Sequence, residues 1–399
     1  YMKLLYIHQY FKTPEEPGGT RSYWISQELI KRGHQVVMIT GSNKNHPDSA
    51  IEHVDGIEVH YIKNEYNNYM SALSRIKSFI SFMFKAIGEG CRQKDVDLVF
   101  ATSTPLTTGA VAIALKWLKG WKYVFEVRDL WPEALIQEGV DNPVVVWALR
   151  LLEKMSYGKA EHVISLSPGM EEGVLKVGIS KSKSTMIPNM AKPDKFYPRS
   201  PSPEIMAKFD IDIHKFNIIH FGSMGASNGL GYIVNAAKVV QERGADDLNF
   251  IFLGDGSTQP MLKDMVKGYG LRNVQFLGDH GMEVVSEIVN CCDASIVSFN
   301  NVPILATNSP NKLFDSLSAG KPVIVNSSGW TKDLVEKDNC GFFVDPDNPN
   351  DLVDKLLEVK DNKELLKQWG ENSRRLSLEV YDKSLLSAKV ANVLENAIK

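Results

Sequence analysis

Short apolar strands alternate with helical stretches twice along this chain, and a proline-rich segment separates the two runs. The first run opens with KLLYIHQYF, a polar loop KTPEEPGGT, a helix RSYWISQELIKRG closed by Gly33, and the strand QVVMIT. Strand, capped helix and strand at this spacing form a βαβ unit. GIEVHYI, DLVFATS, KYVFEV and HVISLS continue the series. Strands that are apolar throughout are buried on both faces, as in a parallel sheet covered by helices. MIPNMAKPDKFYPRSPSPE, Met186 to Glu204, is rich in Pro and polar residues and reads as a linker. A second series follows: NIIHFGS, LNFIFLGDG, NVQFLGD, ASIVSF, KPVIVNS and GFFVDP. The pattern predicts an α/β protein of two Rossmann-like, doubly wound domains. Residues 1–195 form the first and residues 196–381 the second, and residues 382–399 form an amphipathic terminal helix.

At 399 residues the chain can bury two separate cores. With 43% hydrophobic and 23% charged residues its composition is that of an ordinary globular protein, and a net charge of −3 leaves no basic footprint for nucleic acid. Cysteines at 91, 291, 292 and 340 form no CxxC pair, so reduced thiols and a cytoplasmic setting are expected. No signal peptide is expected ahead of the first strand, and no apolar run reaches transmembrane length. Asp95 to Asp97 reads DVD, but it precedes its strand and looks like a helix-to-strand turn. No His/Cys cluster has metal-ligand spacing, so no metal is expected.

The stretch SPNKLFDSLSAGKPVI, Ser309 to Ile324, carries the chemistry. Its loop puts Lys312 and several backbone N–H groups at a helix start, where the dipole favours an anion. Asp315 lies three residues on, so both side chains can face one cleft. A cation for phosphate beside a carboxylate for two neighbouring hydroxyls suits a sugar nucleotide. An ordinary capped helix is the plainer reading.

This stretch resembles the pattern of glycosyltransferase family 4, retaining enzymes of the GT-B fold. There an acidic residue, seven others and a second acidic residue precede A-x-G-x-P-V. Asp315, Ala319, Gly320, Pro322 and Val323 match, while Thr307 stands where the first acid falls. The likeness extends to the Gly18–Gly19 turn, the IPN of the linker and GFFVDPDNP near the end. The SPxK form is similar to transferases of bacterial O-antigen and capsule synthesis, including N-acetylfucosamine transferases. The resemblance implies a nucleotide-sugar donor, UDP- or GDP-linked, held on the second domain. Asp315 would hold the ribose, and Lys312 with the Ser309 to Leu313 backbone the diphosphate. The position of Thr307 would face the donor sugar. The terminal helix would cross back onto the first domain.

Other strand-end loops join this reading. Gly18 and Gly19 let backbone approach a ligand, and Arg21 adds a charged donor. The resemblance puts this loop near the donor phosphates or the acceptor; a plain turn is the alternative. FGSMGASNGL opens the second domain with Gly222, Ser223 and Asn228, where the family usually supplies a cation. Gly222, Gly225 and Gly229 would let backbone N–H groups meet phosphate oxygens. Gly254 in FLGDG and Leu277 in FLGDH would lie near base and ribose. Arg128 and Asp129 of VRDLWPEAL sit at a strand end, as catalytic candidates or as a helix-capping pair. His8 and His220 end the first strand of each domain and read mainly as structural.

The stretch Ser74 to Lys94 mixes Arg75, Lys77, Lys85, Arg92 and Lys94 with Ile76, Phe79, Ile80, Phe82, Met83, Phe84 and Ile87. Most of that apolar face belongs to a core. Phe82, Met83 and Phe84 wrap round the helix and leave some of it for the inner face of an anionic membrane. Residues 66–70 before it read as a flap. A peripheral membrane contact fits a lipid-linked sugar acceptor. The whole predicts a retaining glycosyltransferase of surface polysaccharide synthesis. A GT-B nucleotide-sugar 2-epimerase and a non-catalytic sugar-nucleotide binder are the alternatives.

Overall fold

A computed structural model describes residues 1–42, 50–67 and 69–399. Eight strands form the first sheet: β1 (Lys3–Ile7), β2 (Gln35–Ser42), β3 (Ala50–Val54), β4 (Ile57–Lys63), β5 (Leu98–Thr102), β6 (Tyr123–Val127), β7 (His162–Ser165) and β8 (Ser184–Met186). Their order is β3-β4-β2-β1-β5-β6-β7-β8. All pairs are parallel except β3 with β4. Six strands form the second sheet: β9 (Phe216–Phe221), β10 (Leu248–Leu253), β11 (Val274–Phe276), β12 (Ala294–Val297), β13 (Val323–Val325) and β14 (Gly341–Phe343). They run parallel in the order β11-β10-β9-β12-β13-β14.

Each sheet reverses direction beside its first strand, between β1 and β5 and between β9 and β12. Carboxyl ends at such a switch point splay their loops apart and leave a crevice. Helices Ala72–Arg92, Thr107–Lys119 and Pro143–Gly158 cover one face of the first sheet. Helices Arg21–Lys31 and Lys383–Ala397 cover the other. Leu386, Val390, Ala391 and Leu394 of the last helix are buried with Met2, Leu4 and Ile25. Each of the larger side chains among them contributes about 1.5–3 kcal/mol on burial. The last helix therefore belongs to the first sheet's core. The chain returns to it beside the linker, where Ala191 N donates to Tyr381 O and Lys383 N to Ala191 O.

In the helix Ala72–Arg92, Phe82 is fully buried, Met83 half-buried, and Phe84 66% exposed. The apolar surface left outside thus comes from Phe84 with Leu73 and Ile80, one face of the helix. Of the expected flap, Asn68 lies outside the described residues. The four cysteines are free, and no helix among the described residues is long and apolar enough to cross a membrane.

Candidate active site

The helix Asn311–Ser318 starts after Pro310, which cannot extend it backward, and turns Leu313, Phe314 and Leu317 into the core. That face fixes the opposite one. Lys312 reaches over the β9 turn: a Cβ placed on Gly222 would lie 3.3 Å from Lys312 Cε. Gly222 has φ +106°, which a side chain would strain. Among the described residues no carboxylate or hydrogen-bond acceptor meets the Lys312 ammonium. Burial alone lowers its pKa from 10.5 to about 8. Among the described residues the amides of Asn311 and Lys312, which open their helix, also have no partner. A cation and two N–H groups at a helix start, all without partners among the described residues, have the chemistry that suits an anion.

The neighbouring loops contribute shape rather than donors, against expectation. Gly222 N donates to Leu253 O, Gly225 N to Asn228 Oδ1 at 3.0 Å, and Gly229 N to Ala226 O. Asn228 thus locks its own loop instead of facing a ligand. Gly254 N donates to Gly278 O and Leu277 N to Phe252 O. A Cβ on Gly254 would lie 2.0 Å from Gly222 O, so glycine is required where these two loops press together. Ser223 remains exposed, its carbonyl accepting from His220 Nε2 at 3.1 Å. Burial, then the Lys312 charge, keeps His220 well below the ordinary histidine range.

Asp315 is buried on the same helix and pairs with Lys192 Nζ at 2.6 Å. Burial raises its pKa while Lys192 pulls it down. Lys192 was not singled out in the sequence; its one signal is its place just after the IPN of the linker. Ser309 Oγ accepts from Asn189 N at 3.1 Å, so the linker also holds the SPNK loop. Thr307 does not stand open to the cleft. Its Oγ1 donates to Ile304 O at 2.7 Å, Ser167 Oγ donates to its carbonyl, and its methyl packs on Gly169.

On the first sheet the arginines form a different arrangement. Glu126 of β6 is fully buried between Arg21 and Arg128. Arg21 Nη2 lies 3.1 Å from Glu126 Oε2 and donates to Ile187 O at 2.9 Å, and Nη1 donates to Pro188 O. Arg21, 2% exposed, is thereby consumed as structure and cannot serve the donor phosphates as expected. Arg128 Nε donates to Thr102 Oγ1 at 2.7 Å and Nη2 to Ser22 Oγ at 2.8 Å. Ser22 Oγ also meets His8 Nδ1 at 2.9 Å, and burial keeps His8 well below the ordinary range. Glu126 had a legible signal, a charged residue inside the apolar strand KYVFEV. Asp129 accepts from Thr104 Oγ1 at 2.5 Å, on the neighbouring strand end, and burial raises its pKa.

Several contacts join the two walls. A Cβ on Gly19 would lie 2.8 Å from Asn311 Nδ2, so the glycine turn abuts the helix that carries Lys312. Tyr69 donates to Asp255 Oδ1 at 2.7 Å across the cleft. Among the described residues no three His, Cys, Asp or Glu side chains converge as a metal site.

Two parallel, doubly wound sheets facing each other across such a cleft define a GT-B protein. Sucrose-phosphate synthase of Thermosynechococcus elongatus has the same fold, with a TM-score of 0.80 at 16% identity over 99% of each chain. HepE of Anabaena, solved with UDP and glucose, gives 0.73 at 17% identity over 99% of this chain and 100% of that one. Residues 201–376 match the family Glycosyl transferases group 1, and residues 18–190 the Glycosyl transferase 4-like domain. The chain belongs to glycosyltransferase family 4. An uncharacterized glycosyltransferase of Methanocaldococcus jannaschii, MJ1178, is 28% identical over 39% of this chain and 41% of its own length. The probable glycosyltransferase WbjE of Pseudomonas aeruginosa is 23% identical over 70% and 71%. Alpha-D-kanosaminyltransferase of Streptomyces kanamyceticus is 22% identical over 64% of each chain. The matches therefore span from about two fifths to about seven tenths of these relatives.

Proposed function

We propose that this chain transfers a sugar from a UDP- or GDP-linked donor to a hydroxyl of a sugar acceptor, with retention at the anomeric carbon. Residues 1–195 form the acceptor wall, residues 196–381 the donor wall, and residues 382–399 the returning helix. One observation carries the donor assignment: Lys312, half-buried and without a counter-ion among the described residues, lies beside Gly222 and two helix amides that have no partner there. The leaving diphosphate supplies the missing charge, and Lys312 stabilises it as the anomeric C–O bond breaks. The acceptor oxygen bonds to the same face of the anomeric carbon, and its proton passes to a diphosphate oxygen. Asp315, steered by Lys192, accepts from the ribose hydroxyls. Asp129, held by Thr104, orients the acceptor; Asp129→Asn should lower turnover more than donor affinity. Titration of the full chain with UDP and GDP in a calorimeter tests the reading. Binding that survives Lys312→Ala unchanged would refute it.

A lipid-linked acceptor, as in bacterial O-antigen or capsule synthesis, is the finer reading. Its support is the outer face of the first domain. Phe84, Trp117 and Trp147 are each about two-thirds exposed on the three adjoining helices Ala72–Arg92, Thr107–Lys119 and Pro143–Gly158. Those helices carry eight Lys and Arg against two Glu. Apolar anchors among cations suit the surface of an anionic bilayer. Sedimentation with phosphatidylglycerol vesicles, lost on Trp147→Glu and absent with phosphatidylcholine, is the expected behaviour.

A further inference from the structure

Asn189 stands in the linker where its contacts change from one wall to the other. The residues before it are held by the first wall. Arg21, itself fixed by Glu126, donates to the carbonyls of Ile187 and Pro188. The residues after it follow the helix Asn311–Ser318. Lys192 Nζ meets Asp315 at 2.6 Å, and Lys192 N donates to Ser318 Oγ at 3.1 Å. Asn189 grips the loop that opens that helix. Its backbone N donates to Ser309 Oγ at 3.1 Å, and its side-chain Nδ2 to Ser309 O at 2.5 Å.

Asn189 and Ser309 are each 7% exposed, so both bonds are shielded from water. The other end of the amide is unmet: Asn189 Oδ1 is buried with no partner among the described residues. An unmet buried acceptor opposes folding. What asparagine supplies against that cost is the Nδ2 bond, which orients the Ser309 carbonyl. That carbonyl precedes Pro310, whose ring fixes its φ, here −76°, and restricts Ser309 to extended backbone. With Ser309 held and Pro310 stiff, the next two peptide planes are set. They carry the Asn311 and Lys312 amides, which have no partner among the described residues. The chain just upstream is held as well, since Ser167 Oγ of the first wall donates to Thr307 O.

We propose that Asn189 is a positioning residue for the leaving diphosphate. Through Ser309 it aims the Asn311 and Lys312 amides, and the Lys312 side chain, at the phosphates. The proposal rests on the donor reading above. A carboxylate in the same place only accepts, so Asn189→Asp sets oxygen against oxygen and turns the loop away. Asn189→Ala removes the bond and leaves the Ser309 carbonyl unmet.

The test compares UDP with uridine, and GDP with guanosine, on the full chain. Diphosphates are titrated in a calorimeter, and the nucleosides are followed by saturation-transfer NMR. Asn189→Asp should weaken the diphosphate by about tenfold or more, and Asn189→Ala by about three- to tenfold. Nucleoside affinity should stay within about twofold in both, because base and ribose lie beyond the loop that Asn189 sets. Equal losses of diphosphate and nucleoside would make Asn189 merely structural and overturn the proposal. Unchanged diphosphate affinity in Asn189→Asp would overturn it too. Should that variant fail to fold, Asn189→Ala decides by the same criteria. If the parent binds a diphosphate but no nucleoside, near-ultraviolet circular dichroism becomes the control, and an altered spectrum counts against the proposal. A parent that binds neither diphosphate removes the donor reading, and this proposal with it. A parent that binds one, with variants that bind it equally, removes this proposal alone.

Discussion

The two walls of the cleft treat a buried cation in opposite ways. On the first sheet, Arg21 and Arg128 share Glu126, and backbone carbonyls take up more of Arg21's donors. On the second, half-buried Lys312 has no counter-charge among the described residues, and partial desolvation lowers its pKa to about 8. Both were candidates for the same phosphate in the sequence. A cation that already has its carboxylate holds the fold together. One that lacks it destabilises the free protein and is retained for what binds there. Predictions follow from trying to erase that difference.

The largest effect belongs to the paired side. Glu126→Ala leaves two guanidinium groups uncompensated and should destabilise the chain by about 3–5 kcal/mol, read as a large fall in urea midpoint. An unchanged midpoint would mean that the cluster is not structural. Lys312→Ala should do the reverse. UDP affinity should drop by about 1.5–3 kcal/mol, the worth of a charged hydrogen bond, while the urea midpoint holds or rises. Asp315→Ala should weaken UDP by about 1–3 kcal/mol, and thymidine diphosphate, which lacks one ribose hydroxyl, should distinguish the parent from the variant less than UDP does.

A smaller, graded effect comes from pH. The folded pKa of Lys312, about 8, lies below its ordinary 10.5. Between these values the unfolded chain holds more protons, so this group makes stability rise with pH across that window. Affinity for UDP should move the other way, falling as pH climbs through about 8 and the ammonium loses its proton. Bound diphosphate favours the charged form and shifts the fall upward. Calorimetry from pH 7 to 9.5 should show the decline in the parent and a flatter profile in Lys312→Arg. The smallest change is expected for Tyr69→Phe, which removes one exposed hydrogen bond across the cleft. It should alter the apparent affinity for donor less than Lys312→Ala or Asp315→Ala does.

Much of this was legible along the chain. The strands from KLLYI to GFF, except the two edge strands β3 and β8, are where apolar runs and Gly/Pro punctuation put them, because both signals act over a few residues. Lys312 and Asp315 were found for the same reason, since a polar loop, a helix start and a spacing of three are local facts. The roles of the glycine loops were not legible. Gly222, Gly225 and Gly229 promised free amides, but each amide is used by a neighbour that folding supplies. Thr307 likewise met Ser167 and Gly169 from the other wall.

The order of strands and helices, the family and the helix bearing Lys312 follow from the amino-acid sequence by itself. Periodicity, caps and turn residues encode them within short windows. Which cation stays unpaired was decided by the tertiary structure. Arg21 meets Glu126 from 105 residues away, and Lys192 comes off the linker to reach Asp315. Charge pairing in a buried place depends on which distant strands end side by side, and no short window contains that.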